Sequence, residues 1–234
     1  MMKLARLHAW PRTATAGVQL QHRLAMRVVL QPVTGRTRLM AGADAAFCDN
    51  GASALGGVVV GDRLTQTVVE QSTARVACRF PYIPGLLTFR ELPALLAAFR
   101  KLRMTPEVVF ADAHGLAHPR RMGLACMLGL WLNVPTVGCA KSLLCGEHGT
   151  LGRRRGSAVP LVHKGEQVGA VLRTQSGVKP VYVSPGHLCD CESACRLTLT
   201  ATSKYRVPDP IRQAHQLVTR TKALLVERPR HTIS

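Results

Sequence analysis

Acidic side chains are scarce: 13 Asp and Glu stand against 31 Lys and Arg, leaving a formal charge of +18 and a pI near 10.6. A high-pI proteome makes basic proteins of many kinds, but such an excess is also the electrostatic footprint of a nucleic-acid binder, because each neutralised phosphate releases condensed counterions. Long apolar runs are missing as well. None approaches the ~20 residues a membrane span requires, so no membrane partner is expected. Internal repeats and low-complexity blocks are absent. With 47% hydrophobic and 19% charged residues, disorder is excluded and 234 residues suit one globular domain with a sizeable core.

A zinc framework is also lacking. Cysteines 48, 78, 126, 139, 145, 189, 191 and 195 fall mostly in apolar runs, where a free thiol acts as a small hydrophobe. Without a signal-peptide pattern they imply a reduced, cytoplasmic setting. The run Cys189-Asp190-Cys191-Glu192-Ser193-Ala194-Cys195 has no second Cys or His pair at finger spacing and reads as a helix start. The first 38 residues hold seven basic groups and no acid, a transit-peptide composition. Yet Val18, Leu24, Val28 and Val29, with Ala25 between, offer an apolar helix face, so a structural helix preceded by a dozen loose residues is expected.

What is present is a regular alternation of elements. Strands are expected over Leu39–Phe47, Leu55–Val60 and, bent or bulged, Leu64 to about Arg79, joined by turns at 49–51 and 61–62. A Pro-rich loop, 80–85, precedes a helix from Thr88 to Leu102. Val108–Ala111 has buried-strand character. A helix started by Pro119 runs to Leu132, followed by a strand over Thr136–Ala140. Residues 147–157, rich in Gly and Arg, read as an exposed loop. Strands near Val168–Arg173 and Pro180–Ser184 and helices near Leu188–Ala201 and Pro210–Leu225 complete the chain. This order suits an α/β fold with a ribonuclease H-like mixed sheet flanked by helices, one of several architectures open to it.

Because acids are few, their places are informative. Asp44 is the first in the chain and sits inside the apolar strand Leu39–Phe47, where an ionised carboxylate is costly unless a cation or hydrogen bonds offset its desolvation. A solvent-facing acid paired with arginine is the plainer alternative. Asp112 closes the run Val108–Ala111, and strand ends of this kind gather ligands and catalytic groups. Glu91 lies near a helix start, where the dipole also favours it. Three carboxylates on separate elements suggest a hard, oxygen-liganded cation such as magnesium, with manganese substituting. The string Ala140-Lys141-Ser142 lacks the glycine spacing of a phosphate-binding loop.

The motifs carry a resemblance. Pro81-Tyr82-Ile83-Pro84-Gly85-Leu86-Leu87-Thr88-Phe89-Arg90-Glu91 and Asp112-Ala113-His114-Gly115-Leu116-Ala117-His118-Pro119-Arg120-Arg121 closely resemble two signature segments of the endonuclease V family. Gly42-Ala43-Asp44, Gly138-Cys139-Ala140-Lys141, Gly186-His187 and Pro208-Asp209-Pro210-Ile211-Arg212-Gln213-Ala214-His215 follow at the family's intervals, from about residue 17 to 222. The resemblance implies a catalytic domain over 17–226 between a basic tail, 1–16, and a C-terminal tail, 227–234. It implies Asp44, Asp112 and Glu91 as metal ligands, His215 orienting a water or second ion, and Lys141 on a phosphate. Tyr82 would wedge into the duplex, and Gly85, Leu87, His118 and Gly123 would line a pocket for the extruded base, with Arg120 and Arg121 near phosphate at a helix start. His118 is equally explained as a cap before Pro119.

The activity implied is magnesium-dependent nicking of DNA by a monomer at the second phosphodiester 3′ to deoxyinosine, initiating repair of deaminated adenine. Inosine in RNA, a strand-structure-selective nuclease, and a nucleic-acid-binding module without catalysis are the alternatives. Two departures stand out. Ala113 occupies a position usually glycine, which would be strained if φ > 0 were required. Ser142 replaces a frequent second basic residue.

Overall fold

The computed structural model describes residues 1–227, so the C-terminal tail expected at 227–234 lies, beyond Glu227, outside the described residues. After helix α1 (Ala14–Ala25), strands β1 (Leu39–Cys48), β2 (Ser53–Asp62) and β3 (Thr67–Ala77) form the expected antiparallel meander. The bend anticipated in the third strand is a bulge: Val60 pairs Glu70 and Gly61 pairs Val68, leaving Val69 extra. Helix α2 (Thr88–Lys101) leads to β4 (Val108–Ala111), then α3 (Leu124–Leu132) to β5 (Thr136–Ala140), with β4 parallel to both β1 and β5. The hairpin of β6 (Ala158–His163) and β7 (Glu166–Leu172) precedes β8 (Val181–Pro185), and α4 (Cys191–Thr200) and α5 (Asp209–Glu227) close the fold.

Among the described residues these strands make one eight-stranded mixed sheet, ordered β3-β2-β1-β4-β5-β8-β7-β6. It is the ribonuclease H-like α/β layer. Period-two alternation divides the core between its faces. Ala41, Ala43, Val58, Val60 and Val109 join the helices α1, α2 and α3 in one cluster. Met40, Val108, Phe110, Val137 and Cys139 join α4 and α5 in another. Phe99 in the first and Phe110 in the second are the largest side chains that are wholly buried. No described helix is long and apolar enough to cross a membrane.

Four expectations are corrected. Residues 1–12 are not loose: Met2 is buried, its N–H donates to the Leu102 carbonyl, and that of Ala5 donates to Trp131. Trp10 stacks on Trp131 with ring centroids 5.7 Å apart, and His8 meets both rings edge-on. The buried face of α1 is Gly17, Leu20, Gln21 and Leu24, since the helix ends before Val28 and Val29. The helix placed at Pro119 begins at Leu124 because Arg121 adopts a left-handed φ of 56° that breaks any helix there. Strand β6 was not anticipated. Its flanking Gly/Arg loop and its Pro160 mask an edge strand, the one place where proline is tolerated.

One close approach positions α5. A Cβ on Gly42 would lie 1.9 Å from the Pro210 carbonyl oxygen, so only glycine lets the start of α5 rest on β1. Gly42→Ala should therefore push the helix off the sheet and destabilise the protein by about 1–3 kcal/mol, the usual cost of overpacking. Urea unfolding would measure it, and an unchanged midpoint would contradict this packing.

Candidate metal and base-binding site

Residue parity on β1 carries Asp44 to the same face as Gly42, beneath α5, and Asp112 follows β4 directly beside it. His215, on α5, bonds through Nδ1 to Asp44 Oδ2 at 2.8 Å. Asp44, Asp112 and His215 each offer a ligand atom, and these lie within 4.8 Å of one another. Lys141, one residue past β5, donates its ammonium to Asp112 Oδ2 at 2.5 Å. Four of the five expected catalytic residues thus converge at the ends of parallel strands.

Glu91 stands outside the close-set group, although it was expected as a ligand. It arrives on α2 from the opposite face of the sheet. Burial, reinforced by the negative charges of Asp44 and Asp112, pushes its pKa up to about 8. Asp44 is raised too, chiefly by burial, with the hydrogen bond from His215 opposing the shift. Carboxylates crowded enough to resist ionisation are what a cation relieves. Two carboxylate oxygens and one imidazole nitrogen in reach of a common point form a suitable donor set for a divalent ion.

The second cluster surrounds the loop before α2. Tyr82 is 69% exposed, its ring presented to solvent. Gly85 takes φ of 77°, and its carbonyl accepts three bonds: from Gln21 Nε2 at 3.0 Å, His118 Nε2 at 3.1 Å and Arg120 Nη2 at 2.8 Å. Gln21 also donates to the Met122 carbonyl, and its Oε1 accepts from Arg120 Nε at 2.6 Å. His118 Nδ1 accepts from the Arg120 N–H, so the ring carries its proton on Nε2. Burial, aided by the Arg120 charge, lowers the His118 pKa to about 4 and keeps it neutral. His118 is not a helix cap; Gly123 holds that place before α3, with no room for a Cβ beside the His114 carbonyl oxygen at 2.2 Å. Leu87 stands, half-buried, just before α2.

The Gly85 carbonyl is therefore committed to the protein rather than free for a base edge. Arg120 and Arg121, expected near phosphate, are engaged as well. Arg121 clamps the β6–β7 turn through Glu166 at 2.9 Å and the His163 carbonyl at 2.6 Å. Gln21 escaped notice because a lone glutamine in a helix carries no motif, and its partners lie 64 to 101 residues away. Ala113 is not among the residues with positive φ, so it fits its position without strain. The cysteines at 189, 191 and 195 are free, and Asp190 between them caps α4 by accepting from the Ser193 N–H. Burial raises all three thiols.

A sequence model described as Endonuclease V matches residues 22–216. The endonuclease V of Myxococcus xanthus is 50% identical over 210 residues, covering 89% of each chain. The solved endonuclease V of Streptomyces avermitilis superposes with a TM-score of 0.89 at 41% identity, covering 93% of this chain and 96% of that one. An endonuclease V of Ciona intestinalis, in complex with a 24mer DNA containing an inosine followed by a ribo-adenosine, shares the fold with a TM-score of 0.77. It is 24% identical, over 89% of this chain and 97% of that one.

The raised Glu91 pKa has a signed consequence. In the metal-free protein the folded state holds this proton between pH 4.5 and about 8, while the unfolded chain releases it near 4.5. Stability from this group is thus full below 4.5 and lost as pH rises to about 8. Glu91→Gln should flatten that decline, and a divalent ion should raise the melting temperature more at pH 8 than at pH 5.5. Scanning fluorimetry across pH checks both; an identical ion response at the two values would count against the cluster as a cation site.

Proposed function

This chain belongs to the endonuclease V family, and from that premise we propose that it nicks DNA at the second phosphodiester bond 3′ to a deoxyinosine. It leaves the base in place and the ends as 3′-hydroxyl and 5′-phosphate. The observation that carries this reading is the convergence of Asp44, Asp112 and His215 within 4.8 Å, with Lys141 on Asp112. The endonuclease V of Ciona intestinalis, held on inosine-containing DNA, makes this lesion the substrate to test.

Asp44 and Asp112 would hold magnesium, with manganese an acceptable substitute and Glu91 adding negative charge from the opposite face. Held there, the ion would supply positive charge to the attacked phosphate and lower the pKa of a water. His215, braced against Asp44, orients a water through the edge of its ring that Asp44 leaves free. Lys141, 48% exposed at its side chain, is able to leave Asp112 for the incoming phosphate, which it meets as a point charge. Tyr82 replaces the departing base in the stack at little entropic cost, because the proline-stiffened loop beneath it is fixed through the Gly85 carbonyl. Gly85, Leu87, His118 and Gly123 surround the extruded base, and Arg120 acts through them as a brace. The 2′-hydroxyl contacts that separate RNA from DNA are a matter for the assay.

End-labelled strands carrying one deoxyinosine or one inosine, incubated with magnesium, test the reading. A single nick one nucleotide beyond the lesion is expected, reduced at least ~10³-fold in Asp44→Ala and Asp112→Ala, the scale on which groups stabilising transition-state charge act. Tyr82→Ala should weaken lesion binding by ~10-fold, the loss of one stacking contact, while sparing plain-strand binding. Absence of a nick in folded, magnesium-loaded protein would leave a binding module or a structure-selective nuclease.

A further inference from the structure

Beyond the candidate base pocket lies a groove lined by more cations than the one acid within it can pair. It is open, about 600 Å³ in volume, and runs between the second half of α1 and the turn joining β6 to β7. His22 and Arg23 line it from α1, Lys164 from the β6–β7 turn, and Arg120 and Arg121 from the segment before α3. Glu166 is the one acid lining it, and that carboxylate is already paired with Arg121. Among the described residues, the exposed side chains of His22, Arg23 and Lys164 make no hydrogen bond or ion pair. Apolar atoms of Ala25, Met26 and Pro119 lie between these cations, and Met26 is 83% exposed.

We propose that this groove seats the phosphodiester backbone of the nucleic acid as it leaves the lesion pocket, with Arg23 and Lys164 as the principal phosphate contacts. The inference extends the proposed function and rests on it for the position of the lesion. Three observations converge. Unpaired cations from two elements, spaced by apolar surface, match a polymer of alternating anionic and sugar units. The groove is continuous with the base-binding loop, since Arg120 lines it and also donates to the Gly85 carbonyl. Its walls are held in place: Arg121 fixes the hairpin turn through Glu166 and His163, and Gln21 fixes α1 to Gly85 and Met122. The guanidinium groups of Arg120 and Arg121 are spent on this architecture, which leaves the phosphate work to Arg23 and Lys164.

The test is the doubly substituted Arg23→Ala/Lys164→Ala protein, beside a charge-preserving Arg23→Lys/Lys164→Arg control. Both sites are exposed and far from any packing role, and a melting curve verifies folding. Binding of a plain single-stranded oligonucleotide and of the same strand with one deoxyinosine is measured across salt, with calcium in place of magnesium. The alanine pair should weaken both strands alike, by ~10-fold near 0.15 M salt. It should lower the slope of log affinity against log salt by about 1.4, roughly 0.7 for each phosphate lost. The control should retain the wild-type slope. An unchanged slope, or a loss confined to the lesion strand, would overturn the groove assignment. Because the plain strand needs no lesion recognition, its slope judges the groove even if the wild-type protein fails to nick, which is the separate sign that the functional reading is wrong.

Discussion

Burial of carboxylates at the meeting of β1, β4 and α2 is the constraint around which this molecule is organised. Asp44 lies on β1, Asp112 just past β4 and Glu91 on a helix of the far face; burial first, and the neighbouring negative charges second, raise the cost of ionising Asp44 and Glu91. A flexible scaffold would relax by letting them part. Here they are anchored by the β1–β4 parallel pairing, by the burial of α2, and by the seat of α5 on Gly42. His215 and Lys141 each take one oxygen of the cluster, so the protein's own side chains occupy the ground that a divalent ion and a phosphate would contest. The net charge of +18 has a double use in such a chain: it draws a polyanion in and leaves negative charge concentrated at one place.

The loop bearing Tyr82 obeys a different principle. Prolines limit its backbone, yet what holds its place is a single carbonyl accepting three donors from α1, from the turn after β4 and from the residue before Pro119. Such a hub is rigid because every donor is itself held: Gln21 by Met122 and Arg120, His118 by the Arg120 backbone. The exposed ring is therefore presented on an immobile base, and binding need not order the loop first.

Much of this was legible from residues alone, and the reasons differ by element. The meander and the strands Val108–Ala111 and Thr136–Ala140 announce themselves through apolar runs bounded by turn residues. Asp44 and Asp112 were visible because a charge inside or closing such a run is anomalous. The misread helix at Pro119 shows the limit: proline and two arginines favour a helix locally, but the clamp of Arg121 on the β6–β7 turn demands a left-handed backbone that only the tertiary structure supplies. Gln21 and the His8–Trp10–Trp131 stack were hidden for the same reason, their partners being more than sixty residues away in sequence. Glu91 was recognised by its motif, but its separation from the closest ligand set is a matter of ångströms that no pattern encodes.

The pinned N-terminal segment has a bearing on how the chain is made. Met2 and Ala5 bond to carbonyls of Leu102 and Trp131, and Trp10 rests on the ring of Trp131. Leu102 and Trp131 lie far along the chain from this segment, so it has nowhere to dock until α2 and α3 have been made. An apolar methionine and an indole thus remain uncovered through that interval, and the segment settles only onto helices that are already in place.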